Sequence, residues 1–145
     1  MTPTQVELVQ DSFAKVVLTS EAAAMLFYDR LFDTVPQMRA MFPDDMIEQR
    51  RKLMATLAVV VKGLGNLEQV LPAASALAKR HVSYGVKARH YPVVGAALLW
   101  TLEKGLGDAW TPEVADAWIT AYSTLSGYMI SEAYGRSRVP SEDIP

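Results

Sequence analysis

The sequence predicts an all-α domain of six to seven main helices, on three observations. Apolar residues recur every three or four positions through most of the 145 residues, the spacing of one buried helix face. No segment alternates apolar and polar residues as a half-buried strand would. Helix starts and stops punctuate the periodic runs at workable lengths.

Taken in order, Thr4 with Glu7 forms a capping-box pattern, and Val6, Val9, Phe13, Val16 and Val17 continue it as an amphipathic helix. Ser20 caps a second helix, in which Ala24, Tyr28, Leu31, Phe32 and Val35 share a face. Pro36 ends it and opens a short turn, and Phe42-Pro43-Asp44-Asp45 makes a corner. A third helix spans about Met46 to Lys62, with Gln49, Leu53, Leu57, Val60 and Leu64 on one side. Gly63 and Gly65 stop it, and Asn66 caps a fourth segment whose apolar positions Val70, Ala74 and Leu77 lead to His81. Gly85 closes that helix. The fifth segment starts at Tyr91 and Pro92, aligns Tyr91, Val94, Leu98 and Thr101, and is broken by Gly105 and Gly107. Thr111-Pro112-Glu113 starts the last helix, which runs to about Tyr134 with Trp118, Ala121, Tyr122, Leu125 and Met129 inward. The domain is placed at residues 1–135, and the polar, proline-bearing stretch 136–145 reads as a disordered tail.

Composition narrows function by exclusion. A formal net charge of −2 gives no electrostatic case for nucleic acid. Without cysteine there is no disulfide, thiolate nucleophile or cysteine-held metal cluster. No apolar run approaches 18 residues and the N-terminus lacks a signal-peptide pattern, so neither membrane nor export is expected and the default compartment is the cytoplasm.

Three polar side chains from three helices, Tyr28, Gln49 and His81, are expected to point into the apolar interior. Each costs about 1–3 kcal/mol if left unpaired, so a task is implied. No inward Ser-His-Asp set exists for hydrolysis, one inward histidine without a carboxylate does not make a zinc site, and Gly63-Leu64-Gly65-Asn66 lacks the lysine of a phosphate loop. One imidazole facing two hydrogen-bonding side chains across an apolar slot suits a flat apolar cofactor with an open metal position, which is haem.

The order of the motifs resembles a bacterial single-domain globin, related to the globin domain of flavohaemoglobins. The resemblance covers about residues 4–134 and rests on FYDRLF (27–32), the Met41-Phe42 corner, QRRKLM (49–54), NLEQVLPA (66–73), KRH (79–81) and HYPVVG (90–95). It implies a globin fold around haem b (iron protoporphyrin IX), with His81 as the iron ligand. Tyr28 and Gln49 are then the catalytic pair on the gas-binding side, Phe42 stacks against the porphyrin and Leu53 roofs the pocket. Leu77, Val86, Tyr91 and Val94 line the His81 side and edge. Arg80, Lys87 and Arg51 are candidates for the propionates.

The implied ligands are oxygen, nitric oxide and carbon monoxide, and the implied reaction is dioxygenation of nitric oxide to nitrate. Since the sequence ends at Pro145, electrons are expected from an external donor or reductase. Non-catalytic oxygen binding, storage or transport, and gas sensing, are the alternatives. One departure stands out: the family's last-helix glutamate, which joins its histidine and tyrosine, aligns with Ala133. Glu132 falls one residue earlier, about 100° around the helix.

Overall fold

The computed structural model describes residues 1–83 and 85–134. Six α-helices carry the chain: α1 Pro3–Val16, α2 Ser20–Thr34, α3 Ile47–Lys62, α4 Leu67–Ser83, α5 His90–Leu106 and α6 Pro112–Tyr134. Short 3-10 turns cover Val17–Thr19, Pro36–Met41 and Gly107–Ala109. Among the described residues there is no strand, and no helix is long and apolar enough to cross a membrane. The expected tail, 136–145, lies outside the described residues.

Local chemistry explains most boundaries. The first capping box sits two residues earlier than expected: Thr2 Oγ1 accepts from the Gln5 amide at 3.1 Å, and Gln5 Oε1 accepts from the Thr2 amide at 2.9 Å. Pro3 at the first helical position fixes that register, because its preset φ suits a helix start. Ser20 is the first residue of α2 rather than its cap, and Thr19 before it makes no side-chain capping bond. Pro36 does end α2 and opens the 3-10 turn. Gly85 (φ +90) follows α4 in the left-handed region that glycine tolerates best. Gly105 stays inside α5, and the break falls at Gly107 (φ +55). Thr111 Oγ1 accepts from the Val114 amide at 3.2 Å and caps α6.

The helices pack in partners. α1 lies on α6, where the Trp118 indole N–H donates to Ser12 Oγ at 2.8 Å in the interior. α2 lies on α5 and α3. The amide of Gln10 on α1 donates to the Val61 carbonyl of α3 at 3.0 Å. α4 packs principally on α6. Gly95 lets α5 and α6 approach: a Cβ there would stand 2.5 Å from Tyr122 Cε2. The Tyr122 hydroxyl donates to the Tyr91 carbonyl, so this ring is tethered and cannot swing aside freely. Gly95→Ala is therefore expected to lower the unfolding free energy by about 1–3 kcal/mol. Urea denaturation checks this; an unchanged midpoint would show that the helices separate without strain.

The buried apolar residues form two clusters rather than one. The larger joins Phe13, Phe27, Leu31, Leu102 and Trp118, with Phe42, Leu53 and Val94 packed half-buried against it. The smaller joins Ala74, Ala78, Tyr91 and Met129, with Leu77 and Val86 half-buried beside it. α3 belongs to the first cluster and α4 from Ala74 onward to the second, while Leu67 at the start of α4 packs against the first; α3 packs mainly on α2 and α1, and α4 on α6.

Candidate functional site

On the α2–α3 side, Tyr28 is 5% exposed and is reached by an amide from the next helix: Gln49 Nε2 donates to the phenol oxygen at 3.1 Å. Gln49 sits in the first turn of α3 on its half-buried face, which is why it can reach a residue 21 positions earlier. The phenol oxygen thus accepts from Gln49, and its own proton has no acceptor among the described residues. A buried donor left unspent costs roughly 1–3 kcal/mol unless something else accepts from it. Burial pushes the Tyr28 phenol above its usual range, against the smaller opposing effect of Gln49, so the proton is retained at neutral pH.

Aromatic rings frame this donor. Phe42 meets Tyr28 edge-on at 5.5 Å between centroids and Phe32 at 5.4 Å, and Phe27 closes the other side at 4.9 Å. Arg39 fixes the corner that carries Phe42, donating to the carbonyls of Phe42 (3.3 Å), Pro43 (2.9 Å) and Asp44 (3.1 Å). Its guanidinium also lies over the Phe32 ring at 5.3 Å. Sequence reasoning passed over Arg39, since its partners are backbone carbonyls; the charged residue just before an aromatic-proline corner is the signal that was available. Leu53, one turn beyond Gln49, is half-buried and lines a small apolar cavity of about 10 Å³ with Phe13, Phe27, Leu57 and Leu98.

On the α4 side, the buried stripe is Val70, Ala74 and Ala78: the two alanines pack with Met129 of α6, and Val70 lies against Gly63 at the end of α3. Leu77 and His81 sit at its edge and are half-buried, so the expected stripe through Leu77 is corrected by one position. Small alanines let α4 approach α6, and Leu77 packs half-buried beside that contact. His81 Nδ1 lies 2.7 Å from the Leu77 carbonyl oxygen. A carbonyl only accepts, so Nδ1 carries the proton, and in the neutral ring the lone pair is on Nε2. Tyr91 stacks obliquely near the imidazole at 6.3 Å between centroids. The Val86 amide donates to the His81 carbonyl at 3.0 Å, drawing the connection back onto the end of α4.

The expected residues thus fall into two groups. Tyr28, Gln49 and Phe42 touch one another, and Leu53 and Val94 belong to the same cluster. His81, Leu77, Val86 and Tyr91 form the second group. Val94 was expected on the His81 side and instead packs with the first group, one turn along α5 from Tyr91. Met41 and Gly85 lie close, since a Cβ on Gly85 would stand 3.9 Å from Met41 Cε, so the corner meets the α4–α5 connection.

Several of the other candidates and near-candidates have partners of their own. Arg51 Nη1 pairs with Glu48 at 3.0 Å on the surface. Glu132 is exposed and accepts from Ser75 Oγ at 2.7 Å, while Ala133 packs in the second cluster. His90, the other histidine, accepts the Lys87 amide at Nδ1 (2.8 Å) and begins α5. Burial, then Arg89 and Lys87, holds its pKa below the usual imidazole value, which keeps that acceptor available. Among the described residues no three His, Cys, Asp or Glu side chains gather as a metal site.

The all-helical fold thus carries an imidazole at the edge of one apolar cluster and a hydrogen-bonded, buried phenol in the other. The globin family model matches residues 25–129. The chain belongs to the globin family, whose members bind haem. Among relatives, a flavohemoprotein of Rhodopirellula baltica is 30% identical over 128 residues, covering 86% of this chain and 31% of that protein. A flavohemoprotein of Bordetella parapertussis is 35% identical over 121 residues, covering 81% of this chain and 29% of that protein. The chain thus spans about a third of the length of the curated relatives it matches. Among solved structures, a bacterial globin from Campylobacter jejuni superposes with a TM-score of 0.81 at 27% identity, covering 91% of this chain and 96% of that one. An engineered carbene transferase from Rhodothermus marinus, whose name carries a provisional nitric oxide dioxygenase assignment, also gives 0.81, at 26% identity, covering 92% and 93%.

Proposed function

We propose that this globin holds haem b between its two apolar clusters, binds oxygen reversibly, and dioxygenates nitric oxide to nitrate with electrons from an external donor. The observation that carries the reading is the Gln49-to-Tyr28 hydrogen bond, which leaves the buried phenol proton to be given to a third group. Bound haem would supply the iron centre at which one nitric oxide, one dioxygen and one electron yield one nitrate. Among this chain's residues, His81 offers Nε2 to the metal because Nδ1 is committed to the Leu77 carbonyl. Phe42, Leu53 and Val94 on one side, and Leu77, Val86 and Tyr91 on the other, offer apolar surface to the macrocycle. Tyr28 donates to the negatively polarised end of a gas molecule, and Gln49 fixes the phenol by donating to its oxygen. In a water-poor pocket such an oriented donor stabilises developing negative charge without reorganising.

The test is to mix the oxygenated, haem-loaded protein with nitric oxide and measure nitrate. About one nitrate per chain in a single turnover is expected from the stoichiometry above, with further turnover once a reductase is supplied. No nitrate would remove the dioxygenation and leave gas binding.

Oxygen binding without turnover has one observation in its favour. His81 donates to a backbone carbonyl, while the only acid near its position on α6, Glu132, is held by Ser75. A carbonyl acceptor raises imidazole basicity less than a carboxylate does, which suits holding a gas better than cleaving an O–O bond.

A further inference from the structure

A cleft of about 290 Å³ opens between α2 and α5, lined by Arg30, Thr34, Pro92, Val93, Ala96 and Ala97. It exists because α5 presents two alanines there, neither with an atom beyond Cβ to fill the gap. Ala97, 3% exposed, lies deepest, and Val93 is half-buried against the larger cluster. Pro92 and Ala96 are exposed at the mouth. None of the six belongs to the set proposed to hold haem or gas.

Arg30 is the only charged side chain of the lining. It is exposed, and its guanidinium makes no hydrogen bond or ion pair with a described residue. Asp29 and Asp33 are its neighbours on α2, but they lie about 100° and 60° around the helix from it. The guanidinium lies instead over the Trp100 ring, 4.8 Å from its centroid, one turn of α5 beyond Ala96. Lys104 Nζ approaches the same ring at 5.7 Å. An indole face attracts the cation without neutralising it, so the stack holds Arg30 on the α5 side with its N–H fork unspent. Thr34 Oγ1 donates to the Arg30 carbonyl at 2.8 Å, which uses its only proton. The other four side chains have no donor at all. The lining therefore combines one anion-binding fork with an otherwise apolar wall.

We infer that this cleft binds a small apolar monocarboxylate, its carboxylate accepting from Arg30 and its hydrocarbon body covering Pro92, Val93, Ala96 and Ala97. A carboxylate is planar and takes two parallel N–H bonds from a guanidinium. One fork holds one such group. Sugars, nucleotides and dicarboxylates would each leave further polar groups against aliphatic side chains, at a desolvation cost. The volume is at the small end for ligand sites, which limits the body to a short chain.

Isothermal titration of the full-length, haem-loaded protein with sodium octanoate tests it. Saturable binding at one octanoate per chain is expected, with no change in the haem absorption spectrum. Arg30→Gln should weaken it at least about tenfold, the loss expected when a hydrogen bond to a charged group is removed. Ala96→Leu, which fills the cleft from an exposed helix position and alters no charge, should weaken it by a similar factor. Octanol, with the same chain and no charge, should bind at least about tenfold more weakly than octanoate. No saturable binding, equal binding by wild type and either variant, or equal binding of octanol would overturn the inference. A haem band that moves as octanoate is added would also overturn it, by placing the ligand at the haem. Because no lining residue is assigned to haem or gas, loss of octanoate binding leaves the dioxygenation standing, and absence of nitrate leaves the cleft.

Discussion

Replacing His81 with alanine is expected to weaken haem retention by more than about a hundredfold, beyond the loss usual for a residue that merely orients a metal ligand. Alanine is the best helix former, so α4 should persist. The His81 Nδ1 bonds to the Leu77 carbonyl, which can turn to water because that edge of α4 is only half-buried. Far-ultraviolet circular dichroism should therefore match wild type while the haem absorption band is lost or displaced. Added imidazole should restore much of the band by filling the space with the same ligand. A variant that keeps both the affinity and the spectrum would show that another residue holds the iron.

Tyr28→Phe comes next in size. It deletes the unspent phenol proton while keeping the ring that Phe27 and Phe42 pack against. A hydrogen bond to a charged acceptor contributes about 1.5–3 kcal/mol, so oxygen should dissociate roughly ten- to a hundredfold faster. Because burial raises the Tyr28 pKa, the wild-type donor stays protonated up to and beyond the usual tyrosine range. The wild-type off-rate should therefore be flat across neutral and mildly alkaline pH. Stopped-flow displacement by carbon monoxide measures both. Gln49→Leu should raise the rate less than additively with Tyr28→Phe, since the amide donates to the phenol and acts through it. An unchanged off-rate in Tyr28→Phe would remove the phenol from the gas-holding role.

How much of this was readable in the chain differs by level. Helix number and most boundaries followed from prolines and glycines, because those residues act on the backbone locally: Pro36 ended α2 and Gly85 followed α4 as expected. The misses were of two kinds. Some were choices between neighbouring local signals, as where Pro3 moved the capping box from Thr4 to Thr2, or where Gly105 was carried inside α5. Others depended on distances between helices. Whether Ala78 or Leu77 faces α6 is decided by how closely α4 and α6 approach, which periodicity does not encode. The site shows the same limit. Tyr28 was legible as an inward polar residue, whereas Gln49 and His81 are only half-buried; the direction of the Tyr28–Gln49 bond, the Leu77 carbonyl as partner of His81, and the clasp of Arg39 on three carbonyls belong to tertiary structure. The displaced glutamate was legible as an offset at Glu132; its capture by Ser75 was not.

Titration of haemin into the purified, haem-free protein, followed by absorption, addresses the central claim most directly. Saturation at one haem per chain is expected, with a spectrum on reduction that shifts when carbon monoxide is added and that the His81→Ala variant fails to reproduce. A folded wild-type chain that gives no saturable absorption change would contradict the account, and so would a His81→Ala titration that cannot be told from it.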